Sequence, residues 1–143
     1  MLEKTTGGFL ISKIKQIQGR VFGKLLAEHG IDQFNGAQGR ILYVLWNEGD
    51  MPISGLSAKT GLAKTTLTSM LDRLEASGFI KREPDPHDRR SVRIMLTEAA
   101  KAMKCQYDEV SIRMTEMFYA GFSDSEIIAF EKNLLRILDN LTK

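Results

Sequence analysis

At 143 residues, with 43% hydrophobic and 27% charged side chains, the chain suits one globular domain with its own core, which excludes a disordered protein. Its single cysteine allows no internal disulfide, no apolar run approaches the ~20 residues of a bilayer span, and "MLEKTTGGFLISKIK" lacks the long apolar stretch of a secretion signal. A cytoplasmic protein with no membrane partner is expected. The formal charge of +2 is uneven: Pro52 to Thr97 holds eight basic and five acidic side chains, a net of +3 against −1 for the rest. A basic excess in mid-chain points toward a polyanion.

Leu10, Ile14, Ile17, Val21 and Leu25 recur at steps of three and four, so residues 9–29 are expected to form a helix that ends at Gly30. Asn35 and Gln38 have capping-box spacing before "RILYVLWN", a strongly apolar helix running to Gly49 and the expected centre of the core. "MPISGLSAKTGL" and "AKTTLTSMLDRLEASG" then give two short helices joined at Gly61, the second with Leu67, Met70, Leu71 and Leu74 on one face and Gly78 at its end. That is the sequence shape of a helix-turn-helix.

"FIKRE" and "VRIMLT" read as the strands of a hairpin, with Val92, Ile94 and Leu96 on one side of the second. Thr97 is placed to cap a long helix through about Ala120, and Ser123 with Glu126 forms a second capping box. In the last helix Ile127, Phe130, Leu134, Ile137 and Leu141 make a heptad-like seam, widened by Ile128, Leu135 and Leu138. A stripe this broad asks for more cover than one small domain supplies.

This order of elements resembles the multiple antibiotic resistance regulator (MarR) family over nearly the whole chain. The most specific segment, "TTLTSMLDRLEASGFIKREPDPHDRRSVRIMLTEAA", is similar to that family's recognition helix, wing and following helix, and "DPHDRR" to its wing signature, with His87 at a position where other polar residues are usual. The resemblance implies a mainly α (α+β) fold: a winged helix-turn-helix lobe over residues 35–97 with a two-stranded wing, and a helical dimerisation region from residues 1–30 and 98–143. It implies a transcription regulator, a homodimeric repressor at a palindromic operator in double-stranded DNA, modulated by a small lipophilic or phenolic effector. The competing reading is a winged helix that binds protein and no DNA.

By that resemblance Lys64, Thr65, Thr66, Thr68 and Ser69 face the major groove, where hydroxyls meet bases or phosphate and threonine methyls meet thymine. Helix capping would account for one or two of them, not for five opposite Leu67, Met70 and Leu71. Arg73, further along, suits a phosphate contact or a helical pair with Asp72 or Glu75. Ser54 suits a phosphate at a helix start, or plain capping. At the wing tip Arg89 and Arg90 suit a minor groove, whose negative potential favours arginine. Asp85 or Asp88 is expected to orient their guanidinium groups, and Pro84 and Pro86 to stiffen the approach and block the ladder.

The family's effectors sit between dimer core and DNA-binding lobe. Phe22, Phe34, Tyr43, Trp46, Met103, Tyr107 and Met114 are the side chains suited to line such a space or to fill an ordinary core. Cys105 has no obvious activating neighbour and reads as an inert, partly buried thiol. His29 and His87 lie far apart, so no metal site is expected. Phosphate-loop, dinucleotide and zinc-hydrolase motifs are absent, which argues against an enzyme and against a cofactor.

Overall fold

A computed structural model describes residues 2–34 and 36–143. The elements run α1 (Gly7–Glu28), a short 3₁₀ turn (Asp32–Phe34), α2 (Gly36–Glu48), β1 (Met51–Pro52), α3 (Ile53–Thr60), α4 (Lys64–Ala76), β2 (Ile80–Pro84), β3 (Val92–Leu96), α5 (Glu98–Ala102), α6 (Lys104–Phe118) and α7 (Asp124–Leu141). They divide into two compact units, one ending at Ser111 and one spanning Ile112–Lys143, with the division falling inside α6. The expected cap at Asn35 lies outside the described residues.

In the first unit α2 is the central helix: Ile41, Leu42, Val44 and Leu45 are buried, as are Leu56 of α3, Leu67, Leu71 and Leu74 of α4, and Ile94 of β3. Removing so much branched aliphatic surface from water holds these elements together at about 25 cal/mol per Å². Phe34 joins this core with its ring centroid 4.9 Å from that of Phe79. Gly39 allows the close approach of the 3₁₀ turn to α2, since a Cβ there would collide with the Phe34 carbonyl oxygen.

The turn between α3 and α4 is built as the glycine suggested. Gly61 takes φ +70, a conformation open to a residue without Cβ, and its N–H donates to the Ser57 carbonyl at 3.0 Å. Buried Thr60 completes it: its hydroxyl donates to the Leu56 carbonyl at 2.6 Å and accepts from the Leu62 N–H at 3.2 Å.

The hairpin is present with β2 and β3 antiparallel, Ile80 opposite Leu96 and Pro84 opposite Val92. A third strand accompanies it. Met51 and Pro52 pair with Ile94 and Arg93, giving the sheet order β1-β3-β2. A two-residue strand containing proline has no periodicity to read, and Pro52 is tolerated because β1 is an edge. Pro84 does not block the ladder, for the Asp85 N–H still donates to the Ser91 carbonyl at 3.0 Å beyond it. Ile94 and Leu96 are buried on the expected side, whereas Val92, nearer the tip, is exposed.

Thr97 ties the wing to α5. Its hydroxyl donates to the Gly78 carbonyl at 2.7 Å and accepts from the Ala100 N–H at 3.3 Å, capping the helix. The long helix expected after Thr97 is broken in two at Met103. The Ala100 carbonyl, which would continue an α-helical ladder, instead accepts the Trp46 indole N–H at 3.0 Å and the Met103 N–H at 3.2 Å.

In the second unit Ser123 and Glu126 form the expected capping box, with the Ser123 N–H donating to Glu126 Oε1 at 2.9 Å and the Glu126 N–H to Ser123 Oγ at 3.2 Å. Tyr119 packs edge-on against Phe118, Phe122 and Phe130, and its hydroxyl donates to Glu131 at 2.6 Å. No residue of α7 is buried, and Leu141 of its seam is more than half exposed, as are Leu135 and Leu138 that widen it. In α1 the same contrast runs along one stripe: Leu25 is buried, whereas Leu10, Ile14 and Ile17 are exposed.

Candidate nucleic-acid interface

The polar side chains of α4 are presented, not consumed. Leu67, Leu71 and Leu74 anchor the helix from one side, and Lys64, Thr65, Thr66, Thr68, Ser69 and Arg73 are all exposed. The N-cap is Ala63 and makes no side-chain bond, so none of these threonines or serines is spent on capping. Thr68 donates its hydroxyl proton to the Lys64 carbonyl at 2.9 Å, leaving its methyl and its acceptor lone pairs for a ligand. Ser54 is likewise exposed inside α3, whose N-cap is Pro52.

Two recesses join on Lys64. One, of about 420 Å³, runs along α4 past Lys64, Thr65, Thr68, Ser69 and Asp72. The other, of about 630 Å³, lies where α3, α4 and the wing meet, and gathers Ser54, Ser57, Lys64, Asp88, Arg90 and Ser91. Six of the nine expected site residues thus border one surface, while Thr66, Arg73 and Arg89 are exposed outside both recesses. Ser57 and Ser91 join the surface unforeseen. Neither has a motif of its own, and only the fold brings them beside Lys64.

The wing acids do not orient Arg89 or Arg90 as expected. Asp85 Oδ1 accepts the His87 backbone N–H at 2.8 Å and Asp88 Oδ1 accepts that of Arg90 at 2.9 Å, so both carboxylates fold the loop. The guanidinium that Asp85 faces is that of Arg93, at 3.7 Å, and Arg93 also donates to the Asp50 carbonyl at 2.9 Å. Nor does Arg73 pair with Asp72 or Glu75. Arg82 holds both acids, at 2.8 and 3.4 Å.

Three of the seven side chains suggested for an effector line one space. Phe22, Tyr43 and Tyr107 border a recess of about 480 Å³ with Lys15, Gln18 and Arg40 at its rim. Burial, with the Tyr43 phenol nearby, pushes the Tyr107 phenol up to about 12, so it stays a neutral hydrogen-bonding group near neutral pH. The other four do not line it: Phe34 and Met114 are buried, Trp46 is bound to the Ala100 carbonyl, and Met103 sits at the break between α5 and α6. Cys105 is exposed, not partly buried, because the inward stripe of its helix runs through Tyr107, Val110 and Met114. Among the described residues no helix is long and apolar enough to cross a membrane.

Comparison with known proteins gives the arrangement a context. Residues 34–92 match the model of the MarR family. The uncharacterized HTH-type transcriptional regulator YsmB of Bacillus subtilis is 37% identical over 94 residues, 65% of this chain, and the chain spans 64% of that relative's length. Among solved structures, a cysteine-to-serine mutant of MarR from E. coli complexed with operator DNA has a TM-score of 0.81 at 26% identity, covering 92% of each chain. BpsR of Bordetella bronchiseptica, whose DNA binding is regulated by 6-hydroxynicotinic acid, has a TM-score of 0.83, covering 96% of this chain and 94% of its own, but at 22% identity it speaks for the fold alone.

Proposed function

We propose that the chain is a member of the MarR family, a reading its matches to the family model and to relatives support, and that it is a sequence-specific double-stranded DNA-binding transcription regulator, acting as a homodimeric repressor at a palindromic operator. The observation that carries this reading is the continuous surface on which Lys64, Thr65, Thr68 and Ser69 of α4 meet Ser54 and Arg90 around Lys64. With α4 in a major groove, short hydroxyls reach base edges while Lys64 and Arg73 reach phosphates. Ser54 and the amide end of α3 take a further phosphate, and Arg89 and Arg90 enter the neighbouring minor groove. Few of these side chains make bidentate base contacts, so sequence preference draws on DNA shape as well.

Residues 35–97 form the DNA-binding lobe in this scheme, and residues 1–30 and 98–143 the dimerisation region. The exposed apolar side chains of α1 and of α7 are the surfaces a second copy would cover. The recess between Phe22, Tyr43 and Tyr107, with Lys15 and Arg40 at its edge, suits a small lipophilic or phenolic effector that modulates DNA binding. No catalytic role is assigned to any residue. Selection of bound duplexes from a random pool tests the reading. A palindrome with half-site centres about 34–36 Å apart is expected; recovery of no preferred sequence would overturn it.

A further inference from the structure

Asp72 is out of place on a surface meant for phosphates. It lines the same recess as Lys64, Thr65, Thr68 and Ser69, and Glu75 stands one turn further along α4 with its side chain 44% exposed. Two carboxylates on that face would repel a duplex unless something restrains them. Arg82 does so from the wing's own strand, in mid β2 opposite Ile94. Its Nη2 lies 2.8 Å from Asp72 Oδ1 and its Nη1 3.4 Å from Glu75 Oε1. The side chain is only 26% exposed, and its Nε is buried with no hydrogen-bond partner among the described residues. Both terminal nitrogens are thus engaged by acids, which sets Arg82 apart from the exposed Arg89 and Arg90.

We infer that Arg82 is a positioning residue for DNA binding: it draws Asp72 and Glu75 back toward β2 and offsets one of their two negative charges, so that both acids of α4 are held in ion pairs when the duplex approaches. The inference rests on the DNA-binding reading above. The forked guanidinium matters, since one ammonium cannot span two carboxylates in the same way. Arg82 therefore acts through the acids and touches no phosphate itself.

The test compares wild type, Arg82→Gln, and the triple variant Arg82→Gln, Asp72→Asn, Glu75→Gln, each checked for folding by circular dichroism. Affinity is measured for a fluorescein-labelled random-sequence duplex across a salt series. Arg82→Gln should weaken binding about tenfold, the effect of leaving unpaired acids toward the phosphates. The triple variant, which strands no charge, should return to within about threefold of wild type. A purely structural tie would not be rescued in this way, because the triple variant lacks the tie as well. Unchanged affinity in Arg82→Gln would overturn the inference, as would a salt slope lower by about one with no rescue, the signature of a direct phosphate contact. Should Arg82→Gln not fold, the triple variant alone decides, and a loss beyond about threefold overturns the inference. A wild type that binds no duplex would remove the DNA-binding reading and this inference together; wild-type binding with Arg82→Gln unaffected would remove this inference alone.

Discussion

Four arginines of the hairpin carry the same charge and do different work. Arg82 and Arg93 turn onto Asp72, Glu75, Asp85 and the Asp50 carbonyl, while Arg89 and Arg90 stay exposed at the tip. Which arginine faced outward at the tip was legible from position alone, since a loop tip is solvated. The inward pair was not, because Asp72 lies ten residues from Arg82 in sequence and Asp50 forty-three from Arg93. Separations of that size are closed only by the fold. The wing acids were misread because each accepts a backbone N–H two residues on, and the guanidinium that Asp85 faces belongs to Arg93 on β3, not to the tip. Replacing Arg90 with Ala should lower duplex affinity and reduce the salt slope by about one, while sedimentation still reports twice the chain mass. Wild-type operator affinity in that variant would leave the wing without a part in binding.

Elements defined by local signals were legible, and those defined by distant partners were not. Ser123 and Glu126 sit three residues apart and form their capping box as the spacing requires. Ser123→Ala should cost about 1 kcal/mol, read as a lower unfolding midpoint, with Ser123→Thr largely retaining stability. Gly61 likewise marked the turn between α3 and α4 correctly, because tolerance of positive φ is a property of the residue itself. By contrast, the break between α5 and α6 depends on Trp46, whose indole reaches the Ala100 carbonyl from 54 residues away. Strand β1 depends on Ile94 and Arg93 in the same manner. Nothing within "EAAKAMKCQY" or "MPIS" announces either feature.

On the scale of the molecule, the apolar pattern that over-fills one domain has a physical counterpart in α7, where no side chain is buried, and in the exposed half of the α1 stripe. Breadth of stripe was readable because burial requires a partner surface, yet it does not say which surface. A second copy satisfies it under the proposed function, and it fixes the distance between two α4 helices for an operator of two half-sites. The candidate DNA face was readable in its polar residues and basic excess, but its continuity across α3, α4 and the wing was not, since Ser54, Lys64 and Arg90 are joined by tertiary structure alone. Affinity for duplex DNA as a function of salt is the decisive measurement. Log affinity should fall linearly and steeply with log salt, by about 0.9 for each phosphate neutralised. Absence of salt-sensitive duplex binding, specific or otherwise, would contradict the assignment of this surface to DNA.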